Sequence, residues 1–91
     1  MINGTNGYLA TPAVPGSTLK TIKITTSNDI SASAKVTIKD TSNNIASPEQ
    51  AVGDKNTEYT FNLTSPAAGV SYRINSSNKK TQLVKVELSY E

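Results

Sequence analysis

The sequence predicts an all-β protein in which two antiparallel sheets pack face to face as a β-sandwich of about six or seven strands. Three observations predict it. Apolar and polar residues alternate with period two in five separate stretches, and no stretch sustains a helical period. Clusters of Gly, Pro, Asn, Asp and Ser stand between those stretches, where turns are needed. Ser, Thr and Asn make up 32 of the 91 residues, so the outer faces are polar and each sheet buries one side only.

A first, weaker strand is expected at Gly7–Ala10, followed by a loop through Pro12 and Pro15-Gly16. Leu19–Thr26 then places Ile22 and Ile24 inward and Thr21, Lys23 and Thr25 outward, and Ser27-Asn28-Asp29 ends it. Ala34–Lys39 repeats the pattern with Ala34, Val36 and Ile38 inward. The polar run Asp40–Asn44 turns the chain, a short weak strand is expected around Asn44–Ala46, and Gly53–Asn56 turns it again. Glu58–Leu63 directs Tyr59, Phe61 and Leu63 inward, and Ser65–Gly69 leads to Val70–Ile74, with Val70, Tyr72 and Ile74 inward. After the polar stretch Asn75–Lys80, the last strand, Leu83–Tyr90, carries Val84, Val86, Leu88 and Tyr90 on its inner face.

β-branched and aromatic residues suit such half-buried strands. Together Ile22, Ile24, Val36, Ile38, Tyr59, Phe61, Leu63, Tyr72, Ile74, Val84, Val86 and Leu88 are expected to form one buried cluster within a single domain spanning 1–91. A jelly-roll-like or Ig-like arrangement accommodates such strands.

Composition excludes several kinds of chemistry. The chain has no His and no Cys. It therefore has no zinc site of ordinary type, no haem or iron–sulfur ligation, no Ser-His or Cys-His nucleophile and no disulfide. The formal net charge is +2, and the lysines alternate with apolar residues instead of forming a basic face. Lys79 and Lys80 are adjacent, but in an expected turn, so nucleic acid is not an expected partner. The apolar runs fall far short of the ~20 residues that cross a bilayer, so no membrane insertion is expected. Met1-Ile2-Asn3-Gly4 lacks a basic region followed by an apolar stretch, so an exported protein would already have lost its leader. Sequons at Asn3, Asn62 and Asn75 arise by chance in so Asn/Ser/Thr-rich a chain.

The carboxylates are Asp29, Asp40, Glu49, Asp54, Glu58, Glu87 and Glu91. Glu58 and Glu87 share an outward phase and could face each other, but pairing with surface lysines is the expected arrangement. Asp29, Asp40 and Asp54 sit at strand ends, as turn-forming Asp residues do. Without Asp spacing of the calcium-loop type, no metal and no cofactor is expected. Arg73 is the one arginine, and Tyr8 is the aromatic that strand phase does not assign to the core. A guanidinium binds carboxylates or paired hydroxyls, and a tyrosine ring stacks on sugars. With the loop amides Asn43 and Asn78, Tyr8 and Arg73 are the candidate ligand-binding residues.

The stretch from Tyr59 to Tyr90, with its Ser65-Pro66-Ala67-Ala68-Gly69 loop, Tyr72-Arg73-Ile74 strand, polar Ser/Asn/Lys hairpin and terminal Tyr90, resembles the C-terminal strands of jelly-roll-like accessory domains. These domains recur in secreted and surface lipoproteins of Bacteroidetes-type gut bacteria. Gly7–Ile24, where an extended Leu-Ala-Thr-Pro stretch enters a strand, is similar to the preceding part. The resemblance covers most of the chain, consists of polarity patterns, and lacks the additional N-terminal strands of longer members. It implies a secreted or cell-surface location and a non-catalytic interaction or spacer module. The alternative is a carbohydrate-binding module of a surface glycan-handling protein. No enzymatic activity is expected. The expected partner is a glycan or another surface protein, and the expected state is a monomer.

Overall fold

Long alternating strands close a core only if their apolar faces meet, and β2 (Leu19–Thr26) is where that closure is most complete. Leu19, Ile22 and Ile24 are fully buried there. The computed structural model describes residues 7–76 and 81–91, and all the regular secondary structure among them is strand. In chain order the other strands are β1 (Tyr8–Ala10), β3 (Lys35–Asp40), β4 (Ile45–Ala51), β5 (Glu58–Asn62), β6 (Tyr72–Ser76) and β7 (Leu83–Tyr90). They form a four-stranded sheet ordered β1-β6-β3-β4 and a three-stranded sheet ordered β5-β2-β7, antiparallel throughout. The protein is an all-β sandwich.

Among the described strands only β3 and β4 are joined as a hairpin within one sheet; the other consecutive strands lie in different sheets. β4 lies against the β5 flank, where Thr64 N donates to Ala46 O at 2.7 Å. At the opposite flank the Tyr90 hydroxyl reaches the Pro12 carbonyl at 3.4 Å. That contact places the end of β7 beside the residues that follow β1, so β1 and β7 run in the same direction at the same flank. The loop between β1 and β2 turns at Val14–Ser17, where Ser17 N donates to Val14 O at 3.0 Å. Pro15 and Gly16, the latter at φ 79°, occupy the two central positions of a type II turn.

The core holds Ile22, Ile24, Val36, Ile38, Phe61, Leu63, Tyr72 and Ile74, as alternation requires, with Tyr59 and Leu88 partly buried against it. It also takes in Leu19, Ile30, Ala34, Ala46 and Val52. Ile30 and Val52 lie outside the strands and plug the sandwich from loops, beyond the reach of a period-two pattern.

Val84 and Val86 depart from the expected cluster: they are 67% and 38% exposed. Val86 stands opposite Ile24 and Leu88 opposite Ile22, so the inward phase of this part of β7 is correct. Burial fails because β7 is a sheet edge and β1, the edge strand across from it, is three residues long. Val84 is in addition the extra residue of a bulge, since Thr25 pairs Lys85 and Thr26 pairs Leu83.

β4 is longer than expected and runs through Pro48. It can do so because it is an edge strand with shifted register around Pro48 and Glu49, where a missing N–H costs no ladder bond. β6 begins two residues later than expected, at Tyr72. Val70 and Ser71 belong to the preceding loop, and the Ser71 hydroxyl donates to the Thr11 carbonyl.

Candidate functional site

Antiparallel pairing of β1 with β6 sets Tyr8 opposite Asn75 and Ala10 opposite Arg73. Tyr8 and Arg73 are therefore diagonal neighbours on one sheet face, within reach for long side chains. Since Leu9 pairs with buried Ile74 on the inner face, Tyr8 and Arg73 stand on the outer one. The Arg73 guanidinium carbon lies 4.5 Å from the Tyr8 ring centroid, a cation–π contact between residues from opposite ends of the chain. At a half-exposed position such as Tyr8 the contact contributes about 0.5–1 kcal/mol.

The same face continues across the sheet. Lys39 stands opposite Arg73, Thr37 opposite Asn75, and exposed Ile45 opposite Lys39. A ring, a guanidinium, an amide and an ammonium thus share one surface. These groups donate hydrogen bonds to hydroxyls or carboxylates and offer one flat apolar plane. The structure adds Asn75 and Lys39 to this surface; their partners across the sheet follow from register, which no single strand pattern discloses.

Asn43 is placed elsewhere, in the β3–β4 turn, with φ 68°. Its main-chain N–H donates to Asp40 O at 3.1 Å. The Asp40 carboxylate accepts from the main-chain N–H of Ser42 and of Asn44, each at 2.9 Å, and from the Asn44 side chain at 3.2 Å. The Asn44 main-chain bond, with smaller help from the Asn44 amide and Ser42, holds the Asp40 carboxyl below its ordinary range despite some desolvation. The local demand on Asn43 is a left-handed turn position, which Asn tolerates. Asn78 lies outside the described residues.

On the outer face of the other sheet, charges pair off. Lys85 and Glu87 approach to 3.0 Å, Lys23 and Glu58 to 3.8 Å, and Lys20 and Glu91 to 3.1 Å, all well exposed. The bond from Lys85 holds Glu87 below the usual carboxylate range and is reciprocated by a raised Lys85. Glu58 sits opposite Thr25 from β5, and Glu87 opposite Lys23 from β7. β2 thus separates the two carboxylates, and Lys23 lies between them. Among the described residues no three acidic side chains gather as a metal site.

Comparisons with protein-family models, with curated proteins and with solved structures find no match.

Proposed function

We propose that the chain is a non-catalytic interaction or spacer module of a secreted or cell-surface protein. The observation that carries this reading is the chemistry of the two outer faces. One is lined with short-range Lys–Glu pairs. On the other, the half-exposed Tyr8 ring is stacked against Arg73, so one plane of that ring and the guanidinium engage each other. Paired charges on an outer sheet face give solubility and spacing without a reaction centre. The resemblance to surface lipoprotein accessory domains points the same way.

A second reading, carbohydrate binding, is favoured by one observation: Tyr8 and Arg73 converge beside Asn75. The free plane of Tyr8 would stack on a sugar ring while Arg73 and Asn75 bond its hydroxyls. A single platform gives weak binding, near the millimolar end, about −4 kcal/mol. A glycan array followed by NMR titration separates the two readings. The spacer reading expects no response; shifts centred on Tyr8, Arg73 and Asn75, abolished by Tyr8→Ala, would replace it with the lectin-like one.

A further inference from the structure

Among the described residues the sandwich has four edge strands, and three of them are blunted. β1 has three residues, β5 has five, and β4 carries Pro48 and two register shifts. The fourth, β7, is eight residues long, with neither Gly nor Pro, and its one bulge, at Val84, lies near its start and leaves Lys85–Tyr90 without an extra residue. Its inner face leaves Val86 and Tyr90 more than a third exposed, and Val84 at the bulge is more exposed still.

The main chain of β7 has a defined polarity. Glu91 N donates to Thr18 O at 2.9 Å and Thr18 N to Glu91 O at 3.4 Å, so Glu91 turns its backbone groups toward β2. Strand alternation turns those of Ser89, Glu87 and Lys85 the same way. The N–H and C=O groups of Val86, Leu88 and Tyr90 then point out past the sheet edge.

We propose that β7 is a self-association edge, pairing antiparallel with β7 of a second copy about a two-fold axis at Val86. The sequence Lys85-Val86-Glu87 is complementary to itself in that register. Val86 meets Val86 of the second copy as a hydrogen-bonded pair, because both turn their backbone groups outward. Lys85 meets Glu87 on the wet face, twice by symmetry, and Leu88 points toward the bulge at Val84, where the regular ladder ends. The neighbouring two-fold registers are rejected by charge: an axis at Lys85 sets lysine on lysine, and an axis at Glu87 sets glutamate on glutamate. An axis between residues would oppose apolar and charged faces.

Lys85, which on an isolated edge guards against pairing, here excludes the adjacent registers; an axis at Leu88, which sets Lys85 on Glu91, is told apart by Glu87→Lys, which leaves the charge pairs of that register intact. Two three-stranded sheets become one continuous six-stranded sheet, in place of the monomer expected from the sequence. The inference goes beyond the spacer reading and stands whether or not Tyr8 and Arg73 take a ligand, since they lie on the other sheet.

Sedimentation equilibrium over rising concentration tests it, together with hydrogen exchange. Wild type should shift to dimer mass. The amide of Val86 should slow in exchange as concentration rises, while those of the β5 edge stay unchanged. Lys85→Glu alone and Glu87→Lys alone each place like charges across the axis and should weaken the dimer about tenfold or more. An equimolar mixture of the two restores opposite charges at both positions and should recover the dimer. The exposure of both side chains makes each variant compatible with the wild-type fold, checked by circular dichroism. A monomer mass for wild type at millimolar concentration would overturn the proposal. So would concentration-independent exchange at Val86, or folded variants that fail to pair when mixed.

Discussion

A single hydroxyl at the end of β2 joins two distant segments. Thr26 is fully buried; its Oγ1 accepts from Thr57 N at 2.9 Å and donates to the Asp54 carbonyl. Its own N–H donates to Thr57 O at 2.9 Å. Thr26→Val keeps the shape and strands Thr57 N and Asp54 O, so urea unfolding should show a loss of about 1–3 kcal/mol. Phe61, 1% exposed at the centre of the core, should lose about 3–5 kcal/mol on truncation to Ala. The sequence disclosed Phe61 completely, because ring and phase agree. The task of Thr26 was not legible, since its partners Asp54 and Thr57 lie far along the chain.

Asp40 sets a pH dependence. Its carboxyl is held below the ordinary range chiefly by the Asn44 N–H, so its contribution is fully present above the unfolded-state value, about 3.9. It is lost as pH falls through the lower folded-state value. Asp40→Asn should therefore flatten the urea midpoint between about pH 5 and pH 2 relative to wild type.

Among elements, the most constrained join is the end of β4. Val52 N donates to Ala34 O at 2.9 Å, drawing Gly53 so close to the β2–β3 loop that an added Cβ would stand 2.1 Å from the Ala32 carbonyl oxygen. No flexible side chain can yield there. Gly53→Ala should cost about 1–3 kcal/mol, read as a lowered melting temperature. β7 gives the opposite expectation: Val84→Ser, at a bulged and mostly exposed site, should change monomer stability by no more than about 0.5 kcal/mol. Alternation in β7 gave its inner face but not its burial, because burial depends on what the facing sheet covers. β4 was harder to read for a different reason. Pro48 argues against a strand unless the strand is known to be an edge, and edges are a property of the assembled sheet.

For the whole molecule, strand identity was legible and strand order was not. β1 joins β6, and β2 joins both β5 and β7, pairings that no local pattern specifies. The candidate site shares this divide. Tyr8 stood out because its phase left it unassigned and Arg73 because it is the one arginine, yet their 4.5 Å approach is a product of register. Apart from the β3–β4 hairpin, the sheets are closed by chain segments distant in sequence. Loop-closure entropy must be met before those contacts form, so stopped-flow refolding should fall in the millisecond-to-second range. A net stability of roughly 5–13 kcal/mol is expected at this length, so at the lower end of that range Phe61→Ala would reach the edge of folding.

The common direction of β1 and β7 bears on how the domain would carry tension. Gly7 O accepts from Ser76 N where β1 begins, and Glu91 exchanges hydrogen bonds with Thr18 where β7 ends. A pull applied through Gly7 and Glu91 therefore acts along both strands, from opposite ends of the sandwich. The β1–β6 and β7–β2 ladders are loaded in shear, with their hydrogen bonds strained together instead of being peeled one after another. Under such a load the eight-residue β7 clamp should outlast the three-residue β1. The first rupture in a force trace would then release the N-terminal strand and leave the β5-β2-β7 sheet intact.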